Sequence, residues 1–290
     1  LKPGNGTPVF NLRLDIALGC YWVTKFLDGA AGEGEVFGSI NEAITANNFE
    51  AINIRAKIRI LADDSAKYSQ HTGTLLETSV GRILFNKTLP ADFPFINKEI
   101  SGKEISLIVD QLISRYGTAA VGPILDEIKS FGFHYATLSG TTWGIDEVRV
   151  PVEKEKIVAE AREQAKKLEE NYEEGLLSDD ERHMLFTKIW NATKSKIEKV
   201  LMSGLEAEGS VSYMLASGAR GSTSQVTQMS GMKGLILSPS GRIIDFPVVS
   251  SYKEGLTPLE YFITTHGSRK TLTDTALNTA KAGYLTRRLV

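Results

Sequence analysis

The sequence has almost no cysteine and no long apolar run, and each absence excludes a class of protein. Cys20 is the only cysteine among 290 residues, which excludes an intrachain disulfide and a cysteine-based zinc site. No apolar run approaches the roughly 18–20 residues that a membrane-spanning helix needs. No signal-peptide pattern opens the chain. The sequence therefore predicts a protein that does not enter a membrane.

The chain as a whole also has no large excess of acidic or basic side chains, although these side chains are unevenly distributed along it. The 33 basic and 35 acidic side chains give a net charge of −2. Residues 1–150 carry a net charge of −3, residues 151–210 carry −4, and residues 211–290 carry +5. A basic last third favours an anionic partner, which would be nucleic acid, a nucleotide or an acidic protein surface. The length suits about two domains, and the ordinary composition excludes collagen-like and largely disordered chains.

The first region, residues 1–150, predicts a mixture of strands and helices. Isoleucine and alanine alternate with polar residues over 52–60, which is the period of a strand with one solvated face. A second strand is expected within 74–85. Apolar spacing then predicts two amphipathic helices separated by Gly117, the second ending near Gly132 and followed by a turn-rich stretch up to residue 150.

The second region, residues 151–204, predicts a helical hairpin. Apolar residues at spacings of three and four form a narrow seam along an otherwise charged helix that reaches Tyr172. The helix breaks at Gly175, and Ser178 with Glu181 forms a capping box that starts the second helix. Two such polar helices should project into solvent as an antiparallel coiled coil. The spacing leaves open whether the hairpin is a structural spacer or a docking arm for other proteins.

Two glycine-flanked cations follow. Arg220 lies in Ser-Gly-Ala-Arg-Gly-Ser and Lys233 lies in Ser-Gly-Met-Lys-Gly. Glycines let backbone N–H groups approach an anion closely, and arginine offers a planar fork of donors that suits phosphate. The alternative is a mobile loop with a solvated arginine. Neither segment has the spacing of a P-loop or a dinucleotide fingerprint.

The C-terminal region predicts one long helix. Thr257, Pro258 and Glu260 occupy the N-cap, N1 and N3 positions of a strong helix start, and no stop signal follows. Such a helix would be roughly 50 Å long, and its threonines and glycines should let it bend easily. One face has small residues between Arg269 and Arg287. That face fits nucleic acid or tight packing against another helix equally well.

The last 22 residues closely resemble the bridge helix of the largest subunit of multisubunit RNA polymerase, in the bacterial form called β′. Residues 217–234 resemble the segment that leads to the family's F-loop. The stretch after the family's catalytic aspartate loop is resembled by Lys2-Pro3-Gly4-Asn5-Gly6 with Leu18-Gly19-Cys20-Tyr21. The element before the family's rim helices is resembled by Gly144-Ile145-Asp146-Glu147. The resemblance covers nearly the whole chain in the family's order.

The resemblance implies an α+β, predominantly helical fragment of β′ with a projecting helical hairpin and a long C-terminal helix. Its four expected parts are a mixed α/β pore domain at 1–150, the rim helices at 151–204, a glycine-rich F-loop region at 205–256 and the bridge helix at 257–290. The chain is therefore expected to be an internal piece of a longer subunit.

The resemblance also implies a role for each candidate site residue. The path by which nucleotides reach the active centre would be lined by Arg220, Gly221 and Lys233. Template contact and translocation would involve Arg269, Lys270, Thr279, Ala280, Gly283, Arg287 and Arg288. Factors that enter the secondary channel would dock on Leu176, Leu177, Asp179 and Asp180. Leu138 and Thr227 stand where the family, or some of its members, has a basic residue, so polar contacts there are in doubt.

Partners and a cofactor follow from the same resemblance. The expected partners are a DNA template, RNA, NTPs, the β, α and ω subunits, a sigma factor and secondary-channel factors, in the cytoplasm at the nucleoid. Mg²⁺ is expected in the full enzyme, with ligands outside this segment, because the family's Asn-Ala-Asp-Phe-Asp-Gly-Asp loop does not occur here. The acidic pairs Asp63-Asp64 and Asp179-Asp180 have the wrong spacing. The alternatives are a non-catalytic module that binds nucleic acid or docks factors, and a split-gene subunit.

Overall fold

The computed structural model describes residues 2–4, 6–10, 12–62, 66–68, 73–238 and 241–290. The structure has the predicted α+β class and is predominantly helical. The helices are α1 (Asp15–Thr24), α2 (Ile40–Asn48), α3 (Val80–Lys87), α4 (Gly102–Ser139), α5 (Lys154–Glu173), α6 (Asp179–Ser203), α7 (Ser210–Ser217), α8 (Thr223–Val226) and α9 (Pro258–Leu289). The strands are β1 (Val36–Phe37), β2 (Ile58–Leu61) and β3 (Leu75–Thr78). Asn5, Asp63 and Asp64, which the sequence analysis names, lie outside the described residues.

The chain divides into two compact units. The first comprises Leu1–Trp143 with Ala207–Gly221, and the second comprises Gly144–Glu206 with Ser222–Val290. Helices α1 to α4, α7 and the sheet belong to the first unit, whereas α5, α6, α8 and α9 belong to the second. None of the described helices is both long and apolar enough to cross a membrane.

The first unit contains a three-stranded sheet in the order β1-β2-β3. β1 runs parallel to β2, and β3 runs antiparallel to β2, with Ile58 opposite Thr78. The predicted strand over 52–60 is wrong in its first part, because Asn53 Oδ1 accepts a hydrogen bond from Arg55 N at 2.9 Å and the chain turns there. Asparagine favours such turns because its side chain can bond the backbone two residues on. The strand begins only at Ile58.

The predicted strand over 74–85 is also only partly right. β3 ends at Thr78, and the chain then enters α3 because Ser79 acts as an N-cap whose Oγ accepts a hydrogen bond from Arg82 N at 3.3 Å. Gly81, where the sequence also predicts a break in this strand, comes after the strand has ended. It lies in the first turn of α3, where a Cβ would come within 2.0 Å of Val23 O, so glycine allows α3 to approach the end of α1.

Helices α1 and α4 cross at two glycines. A Cβ on Gly19 would lie 1.9 Å from Gly132 O, so the two backbones are in direct contact. Gly132 is therefore an internal, buried residue of α4, which continues to Ser139, and the prediction that this helix ends near Gly132 is wrong. Gly117 does interrupt the helix as predicted, because it adopts φ 74°, which glycine tolerates and other residues rarely do.

The second unit contains the predicted antiparallel hairpin of α5 and α6. The capping box at the start of α6 is confirmed: Ser178 Oγ accepts a hydrogen bond from Glu181 N at 3.3 Å, and the Glu181 carboxylate accepts one from Ser178 N at 3.0 Å. The seam between the helices leads into an apolar core centred on Val158, Trp190 and Ile197, whose burial stabilises the pair.

Helix α9 is continuous over 32 residues, about 48 Å at 1.5 Å per residue. Its predicted capping box is present, with hydrogen bonds between Thr257 and Glu260 in both directions. Only the first turns are buried, mainly through Glu260, Ile263 and Thr264. From Ser268 to Val290 every residue is exposed, so this part of α9 buries no face against the described residues.

Candidate functional site

The glycine-flanked arginine lies in a tight loop after α7, in the first unit. Gly218 adopts φ 68° and donates its N–H to Leu215 O at 3.1 Å, and Gly221 adopts φ 88°. Two left-handed residues bracket Ala219 and Arg220, a conformation that glycine adopts without steric cost. The Arg220 side chain is exposed and has no hydrogen bond or ion pair among the described residues. Arg220 therefore presents an unpaired guanidinium to solvent.

A polar cluster around the buried Arg55 and Tyr213 side chains holds α7 in place. Arg55 is 7% exposed, and its Nη1 donates a hydrogen bond to Tyr213 Oη at 2.8 Å. Its guanidinium lies 4.7 Å from the centre of the Trp22 ring and 3.5 Å from Glu208 Oε2. Lys25 Nζ lies 3.0 Å from the other oxygen of Glu208. The sequence analysis missed this cluster, because Arg55 looked like a solvated position on a strand.

Glu208 and Tyr213 show how the cluster affects ionisation. Burial favours the neutral acid at Glu208, yet the hydrogen bonds from Tyr213 and Lys25 hold the pKa of this carboxyl below its usual range. Burial and the nearby Glu208 carboxylate raise the pKa of Tyr213. The carboxylate is therefore ionised and the phenol is neutral at physiological pH, which is the state in which the phenol can donate to Glu208.

Lys233 has a partner of its own in the second unit. It is half-buried, its Nζ donates a hydrogen bond to Tyr252 Oη, and the same Nζ lies 4.5 Å from the centre of the Tyr252 ring. Its backbone N–H donates to Ser250 O at 3.3 Å. Lys233 thus supports the segment before α9. It belongs to the second unit, whereas Arg220 and Gly221 belong to the first.

The exposed part of α9 carries the largest group of predicted site residues. Residues 268–290 contain five basic side chains and one acidic side chain, a net charge of +4. Exposed on this segment are the predicted residues Arg269, Lys270, Thr279, Ala280, Gly283, Arg287 and Arg288. The guanidinium of Arg288 lies 4.5 Å from the centre of the Tyr284 ring. Exposed apolar side chains accompany the cations, including Leu272, Leu277 and Leu285.

The threonines of α9 return their hydroxyls to the helix itself. The Oγ1 of Thr279 donates to Thr275 O at 2.8 Å, and five further threonines of α9 bond the carbonyl four residues earlier in the same way, namely Thr264, Thr271, Thr273, Thr275 and Thr286. Such bonds compete with the backbone ladder and favour slight bending. Gly283 has open space where a Cβ would lie, so packing does not require glycine there.

At the end of the hairpin, the four predicted docking residues differ in their surroundings. Asp179 is paired with Arg182 at 2.9 Å and with Arg242 at 3.1 Å, and these hydrogen bonds lower the pKa of its carboxyl. Asp180 is exposed and has no such partner among the described residues. Leu176 is 68% exposed, whereas Leu177 is half-buried.

An ion network that the sequence analysis missed supports this end. The Arg182 guanidinium lies 2.8 Å from Asp245 Oδ2 and 5.2 Å from the centre of the Tyr172 ring, and hydrogen bonds to carboxylates raise its pKa. His183 Nδ1 is hydrogen bonded to the same carboxylate. Asp245 is more than 60 residues from Arg182 and His183 in sequence, so no local spacing indicates these contacts.

Two remaining positions were singled out from the sequence. Leu138 is 60% exposed on α4. Thr227 is buried and donates its hydroxyl to Thr223 O at 2.8 Å, so it satisfies its own polar group without an external ligand. Among the described residues, no group of three or more His, Cys, Asp or Glu side chains could hold a metal ion.

Comparison with known families accounts for almost all of the chain. The family model described as RNA polymerase Rpb1, domain 3, matches residues 1–148. The chain belongs to the RNA polymerase Rpb1 family. Two further models of the same family, for domain 4 and domain 5, match residues 158–257 and 255–290. These matches confirm the resemblance that the residues themselves indicate.

Individual relatives agree with the family assignment. The chain is 43% identical over its full length to proteins named DNA-directed RNA polymerase subunit beta' from Moorella thermoacetica, Acidothermus cellulolyticus and Desulforamulus reducens. It covers 24%, 23% and 24% of these three proteins, respectively. The chain thus spans about a quarter of the length of the curated relatives it matches.

Proposed function

We propose that this chain takes part in DNA-dependent RNA synthesis as a segment of the largest subunit of a bacterial RNA polymerase. The observation that carries the proposal is the exposed part of α9, residues 268–290, with its net charge of +4. A helix that buries no face of its own but exposes leucines between cations needs an external partner. The relatives' name, DNA-directed RNA polymerase subunit beta', supports nucleic acid as that partner.

On this proposal, α9 is the bridge helix. Thr279 and Ala280 present a small surface that admits the template base paired with the incoming nucleotide. Arg269 and Arg287, with their neighbours Lys270 and Arg288, face the nucleic-acid backbone or adjacent protein, as guanidinium groups suit phosphate oxygens. Bending near Gly283 accompanies translocation, which agrees with the weak helix propensity of glycine and with the threonine bonds along the helix.

Arg220 and Gly221 line the path of the nucleotide in the same proposal. The support is the unpaired, exposed guanidinium held between two left-handed glycines. A triphosphate passing this loop would meet the planar fork of donors of the guanidinium. Lys233 is also assigned to the path, although its bond to Tyr252 favours a supporting role for it over direct contact.

The end of the hairpin is proposed as the docking site for factors that enter the secondary channel. Asp180 and Leu176 are available to a partner, because both are exposed. Asp179 is already engaged by Arg182 and Arg242, so its main contribution is to the shape of this end.

The same proposal assigns the remaining partners. They are the β, α and ω subunits, a sigma factor, RNA and NTPs, in the bacterial cytoplasm at the nucleoid. Mg²⁺ would supply the charge that activates the RNA 3′ end, held by residues other than the described ones of this chain. The alternative is a module that binds nucleic acid through α9 without chemistry, for which the same basic exposed helix is the supporting observation.

The nucleotide path is tested by Arg220→Ala in the assembled polymerase that contains this chain. We expect the apparent KM for the incoming NTP to rise about tenfold, because the substitution removes one charge-assisted hydrogen bond. The change in kcat should be smaller. The measurement is single-nucleotide addition over a range of NTP concentrations. Arg59→Ala, which removes an exposed arginine of β2 in the same unit, is the matched control. An unchanged KM in Arg220→Ala would contradict the assignment.

A further inference from the structure

We propose that Arg55 is a positioning residue for Arg220. Its buried guanidinium fixes α7, and α7 fixes the loop from which Arg220 projects. The proposal rests on the role proposed above for Arg220 in the nucleotide path. It adds Arg55 as a residue that acts through Arg220 and does not itself contact the nucleotide.

Arg55 is more completely enclosed than its charge alone would lead one to expect. It is 7% exposed, its Nη1 donates to Tyr213 Oη at 2.8 Å, and its guanidinium lies 4.7 Å from the centre of the Trp22 ring. Burying a cation is costly unless its donors are satisfied, so this placement requires its partners. Tyr213 is itself 5% exposed and belongs to α7. The contact therefore joins the turn before β2 directly to α7.

The loop with Arg220 is continuous with that contact. Ala219 is buried in an apolar cluster with Leu18, Tyr21 and Tyr213. Arg220 N donates a hydrogen bond to Met214 O at 3.4 Å, the residue that follows Tyr213. A displacement of Tyr213 would thus move both the anchor of the loop and the backbone of Arg220.

A positive charge alone does not explain why residue 55 is an arginine. Lys25 Nζ lies 3.0 Å from Glu208 Oε1 and donates to Ala207 O at 2.7 Å, so Glu208 has a second cation. Arg55 differs from Lys25 because it donates a hydrogen bond to Tyr213 Oη and places its guanidinium 4.7 Å from the centre of the Trp22 ring, while the Tyr213 hydroxyl in turn donates to Glu208. A lysine at residue 55 would keep the charge but lose the planar fork.

The test is a double-mutant cycle in the assembled polymerase. Arg55→Met, Arg55→Lys and Tyr213→Phe are each made with Arg220 intact and with Arg220→Ala, and the apparent KM for NTP is measured by single-nucleotide addition. We expect Arg55→Met to raise KM about fivefold with Arg220 intact and to leave it nearly unchanged with Arg220→Ala, since coupled residues are not additive. Tyr213→Phe removes only the hydroxyl and should give a smaller effect with the same dependence. Arg55→Lys should rescue Arg55→Met only partly.

Arg59→Met is the control for Arg55→Met, because it makes the same change at an exposed position of β2 in the same unit. Equal increases of KM in both Arg220 backgrounds would overturn the positioning role while leaving the role of Arg220 intact. No effect of Arg220→Ala would overturn both. If Arg55→Met fails to assemble, Tyr213→Phe decides the question by the same comparison.

Discussion

Glu260 shows how a single buried carboxylate anchors the start of α9. It is 6% exposed, and its oxygens accept hydrogen bonds from the backbone N–H groups of Val249 at 3.1 Å, Ser250 at 3.2 Å and Thr257 at 3.0 Å. Burial favours the neutral acid, but these hydrogen bonds outweigh it and hold the pKa of Glu260 below its usual range. The carboxylate is the form that stabilises the fold.

The pH dependence of that anchor follows from the direction of the shift. Because the pKa is lower in the folded state, ionised Glu260 stabilises the fold above the ordinary glutamate pKa of about 4.3, and the contribution is lost as the pH falls through the lower folded value. We expect Glu260→Gln to lower the local unfolding free energy of the first turn of α9 by about 1–2 kcal/mol at pH 7. The difference from the unsubstituted chain should shrink below about pH 4.

Amide hydrogen exchange of residues 257–264 at several pH values measures this effect. Glu160→Gln, on the exposed side of α5, is the control and should leave the exchange of these residues unchanged. A difference between Glu260→Gln and the unsubstituted chain that stays constant with pH would contradict the ionised anchor.

Single residues of one type can have different roles that a sequence does not separate. Asp179 and Asp180 are adjacent and look equivalent in the capping-box pattern, yet Asp179 alone bonds Arg182 and Arg242. Arg55 and Tyr213 are 158 residues apart, so their contact depends on the whole first unit. The helix that carries the α9 candidates could be predicted from its start signal and its resemblance, because it is one continuous local element, whereas the roles of these residues stay predictions.

Among the secondary-structure elements, those fixed by local spacing were predicted best. The capping boxes at Ser178 and Thr257 and the interruption at Gly117 depend on residues within one or two turns of each other. The predicted strand over 52–60 is partly wrong because the Asn53 side chain competes for the backbone. The predicted helix end near Gly132 is wrong because the contact of Gly132 with α1 is distant in sequence. Tertiary packing decides such cases.

The proposed bending of α9 near Gly283 can be tested by substitution. Gly283 has open space beside it, so Gly283→Ala should fit without a clash and favour the helix by about 1 kcal/mol. If bending at Gly283 accompanies translocation, Gly283→Ala slows elongation by the assembled polymerase several-fold. Gly283→Pro, which removes a backbone donor and breaks the helix, stalls elongation.

The measurement is the pause-free elongation rate on a DNA template at saturating NTP. Thr286→Ala is the control, because it also raises helix propensity near the same end of α9 but leaves the glycine in place. Unimpaired elongation by Gly283→Pro would contradict the proposed hinge.

Over the whole chain, an excess of basic side chains and exposure to solvent occur together on residues 268–290 of α9. The basic excess of residues 211–290 contrasts with the acidic excess before it, and five of its cations lie on the exposed part of α9. From Ser268 to Val290, other described residues do not cover this part of α9. On the proposed function, the exposed part of α9 completes its interactions in a larger assembly. The curated relatives are about four times as long as this chain.

The most direct test of the account is to purify the native polypeptide from its source cell with an antibody against this segment, and to measure its intact mass and its RNA synthesis together. The account predicts a polypeptide far heavier than 31.7 kDa that co-purifies with other polymerase subunits and makes RNA only when a DNA template and NTPs are supplied. A free chain of 31.7 kDa that binds nucleic acid in a salt-dependent manner, without RNA synthesis, would contradict it.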